Sequence, residues 1–334
     1  MRLAHSLPAC LFVVGLSLIA QARVGSQAKR EPDRLSGHTE RVEYVASSAD
    51  GRLHASGDAD GKVIVWDSEK KKGLAQFKAH ERMIRALAFS EDGGLLLTAG
   101  HGDNFIRAWD PKIGKELKPI LTDENLVSFL TASKDGGMGA AMDFSRLIIW
   151  DLKKGTDLHR LDVFPGYHSF ACFSSEGALL TGTFGVPRLF AWDAKAGKLL
   201  FVIETGHGLY CAAFPSQGNV LYAGAFNQPI LVVDVEERKV TRRLGKGAGH
   251  INALAVSPDG ALLAGAYEKG VLKVWDVKAD KEVYYFQAHI SLRAISFVCK
   301  GQKLVSNGGG NDVLVHDLSH LAQVPVQPRP SDKP

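Results

Sequence analysis

The stretch DADGKVIVWD begins at Asp58 and places three carboxylates, those of Asp58, Asp60 and Asp67, around one tryptophan. Carboxylates this close together could bind a metal or share a proton, and the first four residues resemble the opening of a calcium loop. A calcium loop also needs further oxygen ligands and a distant bidentate glutamate, whereas the residues that follow here are apolar. We therefore interpret Asp60 and Gly61 as the turn of a β-hairpin.

Other residue types that perform catalysis lack the required spacing. Five of the twelve histidines recur at one position of a repeat described below, and the others lack the spacing of the three or four converging ligands that a metal site needs. The sequence contains no G-x-S-x-G nucleophile motif and no phosphate-loop pattern, and the glycine-rich residues 307–312 fit a hairpin turn. The sequence therefore predicts no catalytic residue, no metal site and no cofactor.

Two markers recur along the chain in phase with each other. An aspartate that usually follows tryptophan and a turn glycine both return every 41 to 43 residues, over seven periods. The aspartates are Asp67, Asp110, Asp151, Asp193, Asp234, Asp276 and Asp317, and the glycines are Gly51, Gly93, Gly136, Gly177, Gly218, Gly260 and Gly301. Each period holds four short apolar runs bounded by turn residues, which read as strands. This pattern predicts an all-β, seven-bladed propeller with four antiparallel strands per blade.

The markers resemble those of the WD40-repeat family over roughly residues 37–317. The resemblance implies a structural network of a histidine, a hydroxyl on the second strand, an aspartate before the third strand, and the tryptophan. In the first repeat the matching residues are His38, Ser56, Asp60 and Trp66. In the second repeat they are His80, Asp103 and Trp109, with Ala99 in place of the hydroxyl.

The start of the chain has the order of a secretory signal, with a basic residue, an apolar core and the small-residue site AQA. We therefore expect a protein exported to the periplasm or secreted, and an uncleaved N-terminal membrane anchor is the alternative. The expected segments are a signal peptide at 1–22, a linker with a candidate closing strand at 23–36, the propeller at 37–319 and a proline-rich tail at 320–334. We expect residues 31–37 to close the ring, with residues 320–326 as the alternative.

Three cysteines, Cys172, Cys211 and Cys299, follow the signal. Cys172 and Cys211 fall in neighbouring repeats and could pair, but we favour buried free thiols. The sequence contains no N-glycosylation acceptor that would identify the route of export.

The register also locates candidate contact residues. Counting eight residues back from each marker glycine gives one position per blade, near the start of the innermost strand, and the resemblance places this level at the top mouth of the channel. The ring comprises Glu43, Arg85, Ser128, Ser169, Tyr210, Asn252 and Arg293. We expect it to bind a protein partner, with Arg85, Tyr210 and Arg293 as anchors. A water-filled channel mouth would also need polar residues, so that explanation stays open.

The net charge of +4 is too small to imply a nucleic-acid partner. Lysine-rich turns on the opposite face, such as SEKKKG and LKKGT, could favour binding to an anionic surface, although solvated lysine turns are the commoner explanation. The sequence thus favours a noncatalytic exported scaffold that binds a protein through the top rim. The alternative is a propeller-type hydrolase or lactonase with an unrecognised active site.

Overall fold

Successive strands of a repeat pair into one antiparallel sheet, because the turns that join them are too short for any other connection. The computed structural model describes residues 31–321 apart from 91, 104, 118–119, 122–126, 128, 134, 143–145, 163–167, 175, 216–217, 248, 289–291 and 309. Seven sheets form seven blades, so the predicted all-β propeller is confirmed. The described helices are two single 3-10 turns, Glu268–Gly270 and Cys299–Gly301.

The strands follow one order in every blade, and the chain moves from one blade to the next after the fourth strand. Blades one to three contain β2 (Val42–Ser47), β3 (Leu53–Asp58), β4 (Lys62–Asp67), β5 (Lys72–Lys78); β6 (Ile84–Phe89), β7 (Leu96–Gly100), β8 (Phe105–Asp110), β9 (Lys115–Glu116), β10 (Ile120–Leu121); and β11 (Phe129–Ala132), β12 (Met138–Met142), β13 (Arg146–Asp151), β14 (Thr156–Asp162). Blades four to six contain β15 (His168–Phe173), β16 (Ala178–Thr183), β17 (Arg188–Asp193), β18 (Lys198–Glu204); β19 (Leu209–Ala213), β20 (Val220–Ala225), β21 (Ile230–Asp234), β22 (Lys239–Leu244); and β23 (Ile251–Val256), β24 (Leu262–Tyr267), β25 (Val271–Asp276), β26 (Lys281–Gln287). Blade seven contains β27 (Ile295–Val298), β28 (Lys303–Asn307), β29 (Val313–Asp317) and, as its fourth strand, β1 (Asp33–Leu35).

The first strands of neighbouring blades lie against one another and line the central channel. The apolar core fills the spaces between blades, since a single four-stranded sheet cannot bury both of its faces. Between blades two and three, for example, Ala86, Ile106 and Ala108 pack against Leu130 and Trp150. We call the face with the blade-to-blade loops and the turns between second and third strands the top face, and the opposite one the bottom face.

The ring closes with an N-terminal strand, as expected. In β1, Asp33 lies opposite Val315 and Leu35 lies opposite Val313. Leu35 is buried in a cluster that also contains Trp66 of blade one. A single apolar residue is therefore enough to anchor this short strand, because it reaches the core between the last and first blades.

At the bottom of the closing seam, the turns of blades one and seven meet at Gly51. Its φ is +66°, a region that side chains rarely adopt, and its carbonyl accepts a 2.9 Å hydrogen bond from the backbone N–H of Cys299. A Cβ atom at Gly51 would lie only 2.9 Å from that nitrogen. The other marker glycines also have positive φ, and Gly93, Gly136 and Gly301 each face a serine Cβ of the preceding blade. Positive φ therefore favours glycine at every marker position, whereas close contact between blades adds a second requirement chiefly at Gly51. Among the described residues, no atom lies within 4 Å of a Cβ built at Gly177, Gly218 or Gly260.

Cys172, Cys211 and Cys299 are all free, as favoured, but of the three only Cys211 is fully buried. Burial raises the pKa of the Cys172 and Cys211 thiols to about 12, so both stay protonated at neutral pH. In the described part of the chain no helix has the length and apolar character to cross a membrane. The signal peptide expected at 1–22 lies outside the described residues, and so does the tail expected at 320–334 apart from residues 320 and 321.

Candidate interaction face

A buried hydrogen-bond network fixes the loop into blade one against its second turn. His38 bonds through Nδ1 to Asp58 at 2.7 Å and through Nε2 to the Ser56 hydroxyl at 2.7 Å. The Trp66 indole N–H donates to the same hydroxyl at 2.8 Å. An ionised carboxylate only accepts hydrogen bonds, so Nδ1 of His38 carries a proton. This network links three elements of the blade beneath the top face.

The aspartate in this network is Asp58, and the assignment of Asp60 to it was wrong. Asp58 ends β3 with its side chain fully buried, and its second oxygen accepts the backbone N–H groups of Asp60 and Lys62. Burial alone would raise the pKa of Asp58, but the bonds from His38 and from these amides outweigh it and lower the pKa. Asp60 lies at the exposed tip of the turn and pairs with Lys78 at 3.1 Å.

Blade two has a complete network as well, so the expectation that Ala99 replaces its hydroxyl was wrong. His80 bonds to Asp103 at 2.7 Å and to Thr98 at 2.8 Å, and Trp109 donates to Thr98 at 3.0 Å. The turn before the third strand is one residue longer than in blade one, so a count back from the tryptophan misses the hydroxyl by one position. Burial is the main cause that lowers the pKa of His80, which favours its neutral form.

The residue at the hydroxyl position of this network differs among the other blades. In blade four Trp192 donates to Thr181 at 3.1 Å, and in blade seven His316 replaces the tryptophan and bonds Ser306 at 3.0 Å. In blade three this position is Ala141, opposite Ile148. The buried indole N–H of Trp150 consequently has no hydrogen-bond partner among the described residues.

The residues of the predicted ring, called the channel ring below, share one backbone feature. In five blades the ring residue is the extra residue of a β-bulge between the first and second strands; these residues are Glu43, Arg85, Ser169, Tyr210 and Asn252. A bulge leaves one residue without a cross-strand partner and redirects its side chain. The repeated bulge therefore directs one side chain per blade away from the ladder at the start of the innermost strand. Ser128 lies outside the described residues.

Ring residues also connect neighbouring blades. The Ser169 hydroxyl donates to the carbonyl of Leu209 in blade five, and the Asn252 amide donates to the carbonyl of Leu292 at 2.7 Å. Both bonds join a ring residue to the residue preceding the next ring position. They hold the starts of the innermost strands at fixed spacing around the channel mouth.

Between blades seven and one the ring is charged. Arg293 donates from Nη1 to Glu43 at 3.3 Å, and Arg41 donates from Nε to the other oxygen of Glu43 at 2.8 Å. The Glu43 side chain is 5% exposed, whereas those of Arg41 and Arg293 are 53% and 56% exposed. Glu43 therefore holds two guanidinium groups at the surface, where they can meet a partner. Arg85, in the next blade, is half-buried.

Between blades four and six the top face is aromatic. Tyr210 of the ring contacts Phe184 at a ring-centroid distance of 4.7 Å and His250 edge-on at 4.2 Å. Phe226 lies 6.4 Å from Tyr210 and 6.1 Å from His250. Phe184 and Phe226 are 47% and 56% exposed, which is unusual for phenylalanine side chains. We call these four residues the aromatic sector.

The loops hold the two phenylalanines against Tyr210 and His250. The carbonyl of Phe184 passes so close to Gly208 that a Cβ atom there would lie 1.9 Å from it. In the next blade Asn227 exchanges hydrogen bonds with Gly249, through its backbone N–H at 3.1 Å and its side-chain oxygen at 3.3 Å. The aromatic sector is thus built on two turns that pack against blade-to-blade loops.

The sequence prediction included Tyr210 but missed Phe184 and Phe226. Both follow the second strand directly, in the turns FGVP and FNQP, whereas the corresponding turns of blades one, two and six contain Asp60, Asp103 and Glu268. An apolar residue in a turn that is acidic in other repeats is the signal that could have identified them.

The bottom face carries the lysine-rich turns. Lys70 and Lys154 are exposed and lie 3.6 and 3.2 Å from Asp67 and Asp151, the aspartates that end the third strands. Exposed pairs of this kind weaken the local positive field. Across the described residues no group of three or more histidine, cysteine, aspartate or glutamate side chains could hold a metal ion.

Comparison with protein families identifies the repeats. The model of the WD40 family, described as "WD domain, G-beta repeat", matches residues 30–67, 71–110 and 240–276, which correspond to blades one, two and six. Among curated proteins, the small ribosomal subunit protein RACK1z of Arabidopsis thaliana is 48% identical over 56 residues, or 17% of each chain. The U3 small nucleolar RNA-interacting protein 2 of Mus musculus is 31% identical over 74 residues, or 22% of this chain and 14% of that protein. The alignments thus span less than a fifth of these relatives' own length.

Solved structures match nearly the whole propeller. The structure of U3-55K superposes with a TM-score of 0.75 and 14% identity, covering 86% of this chain and 98% of that one. The WD40 repeats of RRP9 superpose equally well, over 86% and 97% of the two chains. At this level of identity the likeness concerns the fold.

Because the indole N–H of Trp150 has no hydrogen-bond partner among the described residues, we predict that a hydroxyl at position 141 stabilises the fold. Ala141→Ser places a hydroxyl where blades one and two have one, and we expect the free energy of unfolding to rise by about 1 kcal/mol. The matched control is Ala223→Ser, which is equally buried at the same position of blade five, where Val233 offers no N–H. At that position the new hydroxyl meets no indole N–H donor, and we expect the free energy of unfolding to fall by about 1 to 3 kcal/mol. Chemical denaturation of both variants checks this, and an equal effect of the two substitutions contradicts it.

Proposed function

We propose that this chain, a seven-bladed member of the WD40-repeat family, is a noncatalytic scaffold that binds a protein partner through its top face. The observation that carries the proposal is the pair of exposed phenylalanines, Phe184 and Phe226, packed around Tyr210 of the channel ring. Apolar side chains clustered on an otherwise polar surface are a feature of interaction sites.

The composition of the face supports a protein partner. Tyrosine and arginine dominate the energetic centres of protein interfaces, and Tyr210, Arg41 and Arg293 all lie on this face. Tyr210 is held by ring contacts and Arg293 by Glu43, so little conformational freedom is lost when a partner binds. A preformed face of this kind suits a rigid scaffold.

The relatives support a scaffold without naming its partner. By their names, one is a protein of the small ribosomal subunit and another interacts with a small nucleolar RNA. Neither these names nor the described residues supply an observation that favours the hydrolase alternative.

We further propose that the scaffold works outside the cytoplasm, on the strength of the signal-like order of residues 1–22. Mass spectrometry of the protein purified from its natural source should find a mature chain that begins at Arg23. A chain that still begins with Met1 contradicts export by signal cleavage.

Site-specific photo-cross-linking tests the top face directly. We expect a benzophenone amino acid at Phe226 to form a discrete adduct with one partner in the native extract. The matched control carries it at Ile113, which is 67% exposed in a turn on the bottom face. An adduct from position 226 that is absent from position 113 supports the proposal. Adducts at 113 alone, or identical adducts at both positions, contradict it.

A further inference from the structure

The top face carries two chemically different sectors in one continuous path of contacts. Tyr210 of the aromatic sector touches His250, and His250 bonds through Nδ1 to the Asn252 side chain at 2.9 Å. Asn252 bonds the carbonyl of Leu292, the residue before Arg293. Arg293 reaches Glu43 and, through it, Arg41. We call Arg41, Glu43 and Arg293 the arginine sector. One extended segment can therefore cross both sectors without leaving the rim of the channel.

The arginine sector is built to meet an anion. A guanidinium group has five N–H donors, and Glu43 engages two of Arg41 and one of Arg293. The remaining donors belong to side chains that are more than half exposed. Glu43 is nearly buried, so it orients the two arginines and leaves their outer donors to an incoming group. Arg85, the half-buried ring residue of the next blade, adds a third guanidinium group on this side of the ring.

The aromatic sector is built to cover an apolar side chain. Phe184 and Phe226 flank Tyr210 with their rings tilted at 59° and 46° to it. Tilted rings that contact one another expose edges and parts of faces, against which an aromatic or large aliphatic side chain can pack. Neighbouring Glu268 contributes a carboxylate that accepts the backbone N–H of His250 at 3.3 Å.

From these two sectors we infer that the top face recognises a linear protein segment in which an aromatic or large apolar residue lies close to aspartate or glutamate. The inference rests on the proposed function and adds the chemistry of the partner. Charge complementarity determines the sign of the charge on the bound segment. Carboxylates on the segment pair with Arg41 and Arg293, whereas lysine or arginine would be repelled there. A single-stranded nucleic acid fits less well, because it needs a continuous basic track and flat rings on which bases stack.

Selection from a random library of twelve-residue peptides tests the inference on the full mature chain. We expect the enriched peptides to combine an aromatic residue with nearby aspartate or glutamate. A synthetic copy of the most enriched peptide should bind at least tenfold more weakly to Phe226→Ser and to Arg293→Gln, and more weakly at 500 than at 50 mM NaCl. Ile113→Ser on the bottom face is the matched control and should leave binding unchanged. Melting temperatures show that the variants fold, and Phe226→Leu replaces Phe226→Ser if the latter melts early.

The outcomes separate the inference from the proposed function. Peptides that need Phe226 but are basic or neutral, and whose binding ignores Arg293→Gln and salt, overturn the inference and leave a top-face interface in place. Peptides that bind both top-face variants with the same affinity as the parent chain overturn the inference and also count against the proposed function. Selection without enriched sequences, or tighter binding of a twelve-nucleotide oligothymidine than of any peptide, also overturns the inference.

Discussion

Close contact between the innermost strands of neighbouring blades is the constraint on which this structure depends. A four-stranded sheet buries its faces only against other sheets, so no blade has a complete core of its own. At the closing seam the bottom turns of blades one and seven come together, and the carbonyl of Gly51 accepts a hydrogen bond from the backbone N–H of Cys299. A side chain at this position would occupy the space that the neighbouring backbone requires.

The packing of the innermost strands also positions the side chains of the top face. Because the bottom turns and the seam fix each innermost strand, a bulge at the start of that strand directs its side chain in the same way in five blades. The buried networks of blades one and two then hold the top loops to the strands beneath them. What differs between blades is the chemistry that the loops present, with arginines on one side of the channel and aromatic rings on the other. A rigid frame with variable loops is the usual basis of recognition in proteins of this architecture.

Periodic features were predictable from the sequence, and features that depend on one blade were not. The regular spacing of the aspartates and glycines predicted the number of blades. Counting eight residues back from each glycine located the bulge residues, although no sequence pattern predicted the bulge itself. Asp58 was missed because a turn of the same length can direct either of two aspartates inward, and only packing decides which. Thr98 was missed because blade two has a longer turn. Phe184 and Phe226 were missed because they break the repeat, and a search for periodicity passes over such departures.

The most direct test of the central constraint compares two glycine substitutions with the same backbone cost. Gly51 and Gly136 have φ angles of +66° and +61°, so alanine is strained equally at both. A Cβ atom at Gly136 would lie 3.4 Å from the Ser90 side chain, an ordinary contact, whereas at Gly51 it would lie 2.9 Å from the backbone of blade seven. By chemical denaturation, Gly51→Ala should lose about 2 kcal/mol more than Gly136→Ala, in one cooperative transition. Equal losses, or a separate early transition for blade one, would show that the close contact at the seam does not hold the ring together.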